Sequence, residues 1–177
     1  MIKLNAKQLR TTKSNPEEFK KLPKNPIYII LDNVLDTYNI GSVFRLADAV
    51  AAEELIITGQ SELPPNTRIK KASINTTEWV KWRCLPTAVE AIEDLRKKNP
   101  EILVVAVEQS VKSIPHTEVE WRFPVAIIVG NESSGVSQEA LDAADVIAEL
   151  PMFGVNVSLN VMVSLAIVLY RVLEKLP

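Results

Sequence analysis

Three stretches of this 177-residue chain set polar, reactive groups among glycines and apolar residues in ways a plain surface loop does not require. The first, DTYNIGSVFR from Asp36 to Arg45, places an arginine among Val43, Phe44, Leu46 and Ala47. An arginine there either snorkels from an apolar helix to solvent or is held at a pocket. In the second, VAIIVGNESSG, an apolar run ends in Gly130, Asn131 and Glu132. Gly130 lets backbone approach a ligand closely and Glu132 puts a carboxylate at the end of the run, unless this is only a tight turn with a solvated acid. The third, LPMFGVNVSLNVMVSLAIVLY, sets Asn156, Ser158 and Asn160 ahead of a strongly apolar helix. One of them suffices as an N-cap; three, after Pro151 and Gly154, suit a loop that faces a ligand.

Other chemistries lack their residues. GNESSGVS has two glycines five apart but no lysine to reach terminal phosphates. No G-x-G-x-x-G follows a strand, and H-E-x-x-H, G-x-S-x-G and EF-hand loops are absent. A single cysteine, Cys84, excludes an internal disulfide and a cysteine cluster. A single histidine, His116, excludes a His-rich metal site, and a Ser/His/Asp triad would have to use it. No metal is expected.

The elements that must position these stretches alternate. Ile27–Leu31 is a β-branched apolar run between Pro26 and Asp32, which predicts a strand buried on both faces. Asn39–Ala51 has helical spacing at Ile40, Val43, Phe44 and Ala47, with Asn39 as the expected N-cap. Glu54–Thr58, Ile102–Val107, Pro124–Val129 and Asp145–Leu150 read as further strands, and Trp79–Cys84 as an edge strand. Helices are expected over Arg68–Ser73, Pro86–Lys98, Ser137 to about Ala144, and Ser158 to Glu174, with Glu108–Phe123 a loop. Such alternation predicts an α/β domain with a mostly parallel sheet flanked by helices, whose ligands bind where strands end.

At 177 residues and 47% hydrophobic content the chain is one domain with a sizeable core. The net charge of −2 hides an asymmetry: residues 1–26 carry Lys3, Lys7, Arg10, Lys13, Lys20, Lys21 and Lys24 against Glu17 and Glu18, and the rest is acidic. That balance excludes a globally basic nucleic-acid binder; the first 26 residues are either a solvated extension or a local set of phosphate contacts. The N-terminus has no apolar signal segment, and polar Asn156, Ser158, Asn160 and Ser164 interrupt the most apolar stretch, so a soluble, cytoplasmic protein without a membrane span is expected.

Taken together, the three stretches resemble, in order and at similar separations, the signature motifs of the SpoU (TrmH-like) branch of the SPOUT methyltransferases. Those are an Asn followed six residues later by Arg, a Gly-x-Glu-x-x-Gly after a strand, and a Pro-Met-x-Gly…Ser-Leu-Asn run opening the last helix. This chain has Asn39…Arg45, Gly130-Asn131-Glu132…Gly135, and Leu150-Pro151-Met152…Gly154…Ser158-Leu159-Asn160. The resemblance spans roughly residues 27–174.

It implies a SPOUT-type fold with a deep C-terminal trefoil knot, and methyl transfer from S-adenosylmethionine to a ribose 2′-OH in tRNA or rRNA, with a lean to tRNA. It also implies a homodimer packed through the first and last helices, with the apolar residues Leu159, Val163, Leu165, Ile167 and Leu169 available to that interface. Residues 27–177 would be the methyltransferase domain and 1–26 a short basic extension, with no further RNA-binding domain before the core. Arg45 would be the catalytic arginine with Asn39 in support; Glu132, Ser158 and Asn160 would complete the polar site. Cofactor contacts would come from Gly130, Leu150 and Leu159, and by position from Glu108, Asn131 and Met152. Arg45 is open to two roles, base or charge clamp; Glu132 could orient it or accept a proton through water. A non-catalytic RNA-binding or assembly protein that retains the fold is the alternative.

Overall fold

The computed structural model describes residue 3, residues 5–11 and residues 16–177. Of the basic N-terminal segment, Lys13 lies outside the described residues, as do the side chains of Arg10 and Lys20.

Among the described residues seven parallel strands form one sheet. In chain order the elements are α1 (Ala6–Thr11), α2 (Pro16–Lys20), β1 (Asn25–Asp32), α3 (Thr37–Ala49), β2 (Ala52–Thr58), α4 (Thr67–Ser73), β3 (Trp82–Leu85), α5 (Ala88–Lys98), β4 (Leu103–Val107), β5 (Ile114–Pro115), β6 (Val125–Gly130), α6 (Gln138–Ala143), β7 (Val146–Glu149) and α7 (Val161–Leu173). The strand order is β3-β2-β1-β6-β4-β7-β5. Apolar runs become strands buried on both faces because helices cover both. Ile27, Ile29 and Leu31 pack with Val43, Phe44 and Ala47 of α3 and with Leu165, Val168 and Leu169 of α7. On the other face Ile30, Ile56, Val104 and Ile128 pack with Ala91, Ile92 and Leu95 of α5 and Ala140 of α6.

From β1 the chain winds outward to β2 and β3, then returns to build the other half, with β6 inserted beside β1. The loops after β1 and β6 therefore diverge, and the crevice between them is where open α/β sheets bind ligands. Register aligns the strand ends there: Asp32 pairs with Gly130 on one side and with Thr58 on the other.

Several boundaries differ from the sequence reading. The first core helix starts at Thr37, because Asp36 is its N-cap: the Asp36 carboxylate accepts the N–H of Tyr38 at 2.7 Å. Asn39 thus lies inside the helix, not at its start. The edge strand begins at Trp82, since Thr76–Glu78 close into a 3₁₀ turn. The expected loop after β4 holds the short β5, which pairs with β7. The last helix starts at Val161, with Asn160 as its cap. Ser137 sits at the cap position of α6, but its hydroxyl and its N–H both go to Asp32, at 2.6 and 2.8 Å. The N-terminal segment is anchored to the body: Asn75 donates to the Leu9 carbonyl at 3.1 Å, and Phe19 meets Trp79 edge-on with ring centroids 5.1 Å apart. Among the described residues no helix is long and apolar enough to cross a membrane.

Candidate active site

A cleft of about 690 Å³ opens where β4, β6 and β7 end. Its walls come from Val107–Gln109, from the turn Val129–Gly135, from Leu150 and Met152, and from Asn156–Val161. All six residues expected at a cofactor, Glu108, Gly130, Asn131, Leu150, Met152 and Leu159, line it, together with Glu132, Ser158 and Asn160.

The turn after β6 is rigid by construction. Asn131 and Gly135 exchange both backbone hydrogen bonds at 2.9 Å. The Asn131 side chain accepts the N–H groups of Ser133 and Ser134 and donates to the Asn33 carbonyl. A Cβ on Gly130 would lie 2.1 Å from the Gly135 carbonyl carbon, and one on Gly135 would lie 2.1 Å from a Glu108 carboxylate oxygen. The turn closing on itself is thus sufficient reason for a glycine at 130, which also lines the cleft. Glu108 accepts Val136 N–H at 3.0 Å and Gln109 N–H at 2.9 Å, so it buttresses the turn while lining the cleft.

Glu132 joins the three motif stretches. Its carboxylate accepts the Leu35 N–H at 3.1 Å, the Asp36 N–H at 3.1 Å and the Asn39 amide at 2.9 Å. The Asn39 carbonyl oxygen then accepts from the Asn160 amide at 3.0 Å, while Asn160 Oδ1 caps α7 by accepting Met162 N–H at 2.9 Å. One chain of hydrogen bonds thus ties the loop after β1, the turn after β6 and the start of the last helix. Asn39 is buried, 7% exposed, and both ends of its amide are used. A buried amide demands that satisfaction, which fixes the relative positions of the three segments. Burial pushes the Glu132 carboxyl up, but the hydrogen bonds from Asn39 and from the N–H groups of Leu35, Glu132 and Asp36 outweigh it and hold the group below its ordinary value.

Two expected members stand apart. Arg45 is exposed, about one and two-thirds turns beyond Asn39 and on a different face of α3. Glu132 spends its oxygens on Asn39 and the post-β1 backbone, so it does not orient Arg45; Asn39 supports Glu132 and Asn160, not Arg45. A carboxylate that accepts three donors and is held acidic is also a weak proton acceptor. Ser158 lies in the exposed loop, where its N–H donates to Asn156 at 3.2 Å, outside the network.

Sequence reasoning missed Asp36, whose capping frees Asn39 to face inward; an acid three residues ahead of that asparagine was a usable signal. It also missed Gln109, which donates to the Val157 carbonyl at 2.8 Å and pins the loop before α7. No local pattern marks that contact, because 48 residues separate the partners. Among the described residues no group of three or more His, Cys, Asp or Glu could hold a metal ion.

Comparison with known proteins places this geometry. A family model described as the SpoU rRNA Methylase family matches residues 26–170. The TrmH-family protein YacO of Bacillus subtilis (strain 168) is 28% identical over 152 residues, 86% of this chain and 60% of its own length. A tRNA (guanosine(18)-2'-O)-methyltransferase of Aquifex aeolicus (strain VF5) is 33% identical over 159 residues, 88% of this chain and 72% of that protein. The chain thus spans about 60% of the first of these relatives and more of the second. An AdoMet-bound rRNA methyltransferase structure from Sinorhizobium meliloti superposes with a TM-score of 0.79 at 24% identity, covering 90% of this chain and 60% of that one. That similarity speaks for the fold.

Proposed function

The chain belongs to the SpoU rRNA Methylase family, and from that premise we propose that it transfers a methyl group from S-adenosylmethionine to a ribose 2′-OH of a structured RNA. The observation that carries this is the Glu132–Asn39–Asn160 chain at the lip of a 690 Å³ cleft. The name of the Aquifex relative supports the lean to tRNA.

The cleft suits an adenosyl group: Val107, Leu150, Met152 and Leu159 give apolar walls, and the backbone around Gly130 and Asn131 gives polar atoms that fix orientation. S-adenosylmethionine would supply an electrophilic methyl group on a sulfonium there. The chain's own residues align and stabilise. Glu132, Asn39 and Asn160 act as positioning residues, holding the loop after β1 against the start of α7. The Ser158 hydroxyl is free to meet the substrate. Arg45 brings a permanent positive charge that favours negative charge growing on the 2′-oxygen or grips a neighbouring phosphate.

The solvent-facing Arg45 fits a homodimer, in which a second copy completes the site. Leu165 and Leu169, two residues expected at the interface, are spent on the core; Leu159, Val163 and Ile167 remain exposed, beside Phe153 at 97% and Tyr170 at 55% exposure. Sedimentation at micromolar concentration should return about twice 19.7 kDa; a clean monomer overturns this. The same reading takes residues 27–177 as the catalytic domain with a C-terminal trefoil knot, residues 1–26 as a basic extension adding phosphate contacts, and the cytoplasm as the place of action.

The test is methyl transfer from labelled S-adenosylmethionine to unmodified tRNA transcripts and to rRNA, with the 2′-O-methylated nucleotide mapped. Arg45→Ala should cost on the order of 10²–10³ in rate with cofactor affinity unchanged. Arg45→Lys should be nearly as poor at every pH if the guanidinium is a clamp, and should recover as pH rises if it is a base. RNA binding without any transfer would favour a non-catalytic RNA-binding protein instead.

A further inference from the structure

We propose that the face made by α4 and the N-terminal end of α3 holds a strand of the substrate RNA, with Arg68 and Lys71 on its phosphates and the Tyr38 ring under one of its bases. This rests on the proposed RNA methyl transfer and names where that RNA lies.

The position of α4 is fixed against the candidate catalytic helix. A Cβ on Gly41, two residues after Asn39, would lie 2.6 Å from the Ala72 Cβ and 2.7 Å from the Ile69 carbonyl oxygen, so the two helices touch backbone to backbone. Ile69 and Ser73 are fully buried beneath α4. Its remaining surface is cationic: Arg68, Lys70 and Lys71 are all exposed. Elsewhere Lys81, Arg83, Arg96, Lys98 and Arg171 are paired with carboxylates, while among the described residues Lys97, Lys112 and Arg122 are exposed without such a partner but lie at separate places in the chain, not side by side on one helix. Among the described residues, the side chains of Arg68, Lys70 and Lys71 have no such partner. Arg68 and Lys71, three apart on the helix, present their charges along one side. An acidic chain that keeps a helix face of unpaired cations beside its candidate site has made a local surface for phosphates.

Between α4 and the start of α3 runs an open groove of about 610 Å³, lined among others by Tyr38, Asn66 and Arg68. Tyr38 is 50% exposed, with its ring available for stacking. Asp36 and Glu62 also line the groove. These acids disfavour a phosphate on the groove floor and suit the N–H donors of a base edge, which leaves the phosphates to the cations on α4. The groove shares a wall with the cofactor cleft, since Leu35 and Asp36 line the groove while their N–H groups bind Glu132. A base on Tyr38 therefore lies next to the segment that carries Asn39. At the far end of α4, Asn75 donates to the Leu9 carbonyl, so α1 docks there.

The experiment uses the full chain and pooled unmodified tRNA transcripts as the probe. Arg68→Ala with Lys71→Ala should weaken RNA binding about 10-fold and lower the slope of log affinity against log salt by about 1–2. Tyr38→Ala should raise the RNA KM about 5-fold or more, and Tyr38→Phe should restore it. Calorimetric affinity for S-adenosylmethionine and the thermal midpoint should match the parent in all three, which excludes misfolding as the cause. If the parent methylates the transcripts and the variants keep its affinity, salt slope and KM, this proposal falls and the enzymatic reading stands. If the parent neither binds nor methylates RNA, both fall. A loss in Tyr38→Ala that Tyr38→Phe does not rescue overturns the stacking role.

Discussion

The two loops that face each other across the cleft are built in opposite ways. The turn from Gly130 to Gly135 is over-determined: a reciprocal backbone pair, an asparagine that accepts two N–H groups and donates a third bond, a Glu108 buttress and the Glu132 network all hold one conformation. The loop from Pro151 to Asn160 is pinned mainly at its C-terminal end, by Gln109 on the Val157 carbonyl, by Ser158 N–H on Asn156 and by Asn160 on Asn39. Its apolar residues point outward, Phe153 at 97% and Val155 at 102% exposure. One wall is preorganised; the other keeps apolar surface for something to cover. The glycines record the difference: a Cβ at Gly130 meets three backbone atoms within 2.2 Å, and a Cβ at Gly154 meets nothing within 4 Å.

The largest effect that follows from this contrast is at Gly130. Gly130→Ala must open the turn, since every clashing atom is backbone, and should cost about 3 kcal/mol or more, lowering Tm by roughly 6–12 °C. Calorimetry checks this; a shift within about 2 °C would mean that the turn is not rigid.

Glu132→Gln comes next. The amide keeps the shape but loses the charge and one of the accepting oxygens, leaving a donor on Leu35, Asp36 or Asn39 unmatched, at a cost of about 1–2 kcal/mol. The effect should depend on pH. Hydrogen bonds hold the native carboxyl below its ordinary value of 4.5, so its stabilisation is complete above that pH and is lost as pH falls through the lower native value. Urea midpoints of the parent and the variant should therefore draw together as pH is lowered below about 4.5. A gap that stays constant as pH falls below that value would assign the loss to packing instead of charge.

The smallest effect is expected at Gly154. Gly154→Ala enters open space at ordinary backbone angles and should change stability by less than about 0.5 kcal/mol. If it alters the sedimentation behaviour while stability stays put, the loop is part of the proposed interface between copies.

Much of the site was legible in the chain. Asn39, Glu132 and Asn160 sit 93 and 121 residues from their partners, yet their motif contexts were recognisable, because the polar groups and the turns that present them are encoded locally. Arg45 was legible as a residue but not as a geometry. Six positions on a helix place it away from Asn39, and a single chain leaves it in solvent. Boundaries slipped where a side chain had a choice of partners: Asn39 could cap a helix, but Asp36 was already there.

The sequence by itself determined the α/β alternation, the strands buried on both faces, and the three stretches that meet at the site. Apolar periodicity and turn residues act over a few neighbours, and so they can be read from neighbours. The tertiary structure decided the insertion of β6 between β1 and β4, the hydrogen-bond chain through Glu132, and which half of the last helix's apolar residues is spent on the core. Those outcomes depend on strand register and on satisfying buried polar groups between segments about a hundred residues apart. No local pattern carries that information; it exists only once the sheet has brought the strand ends together.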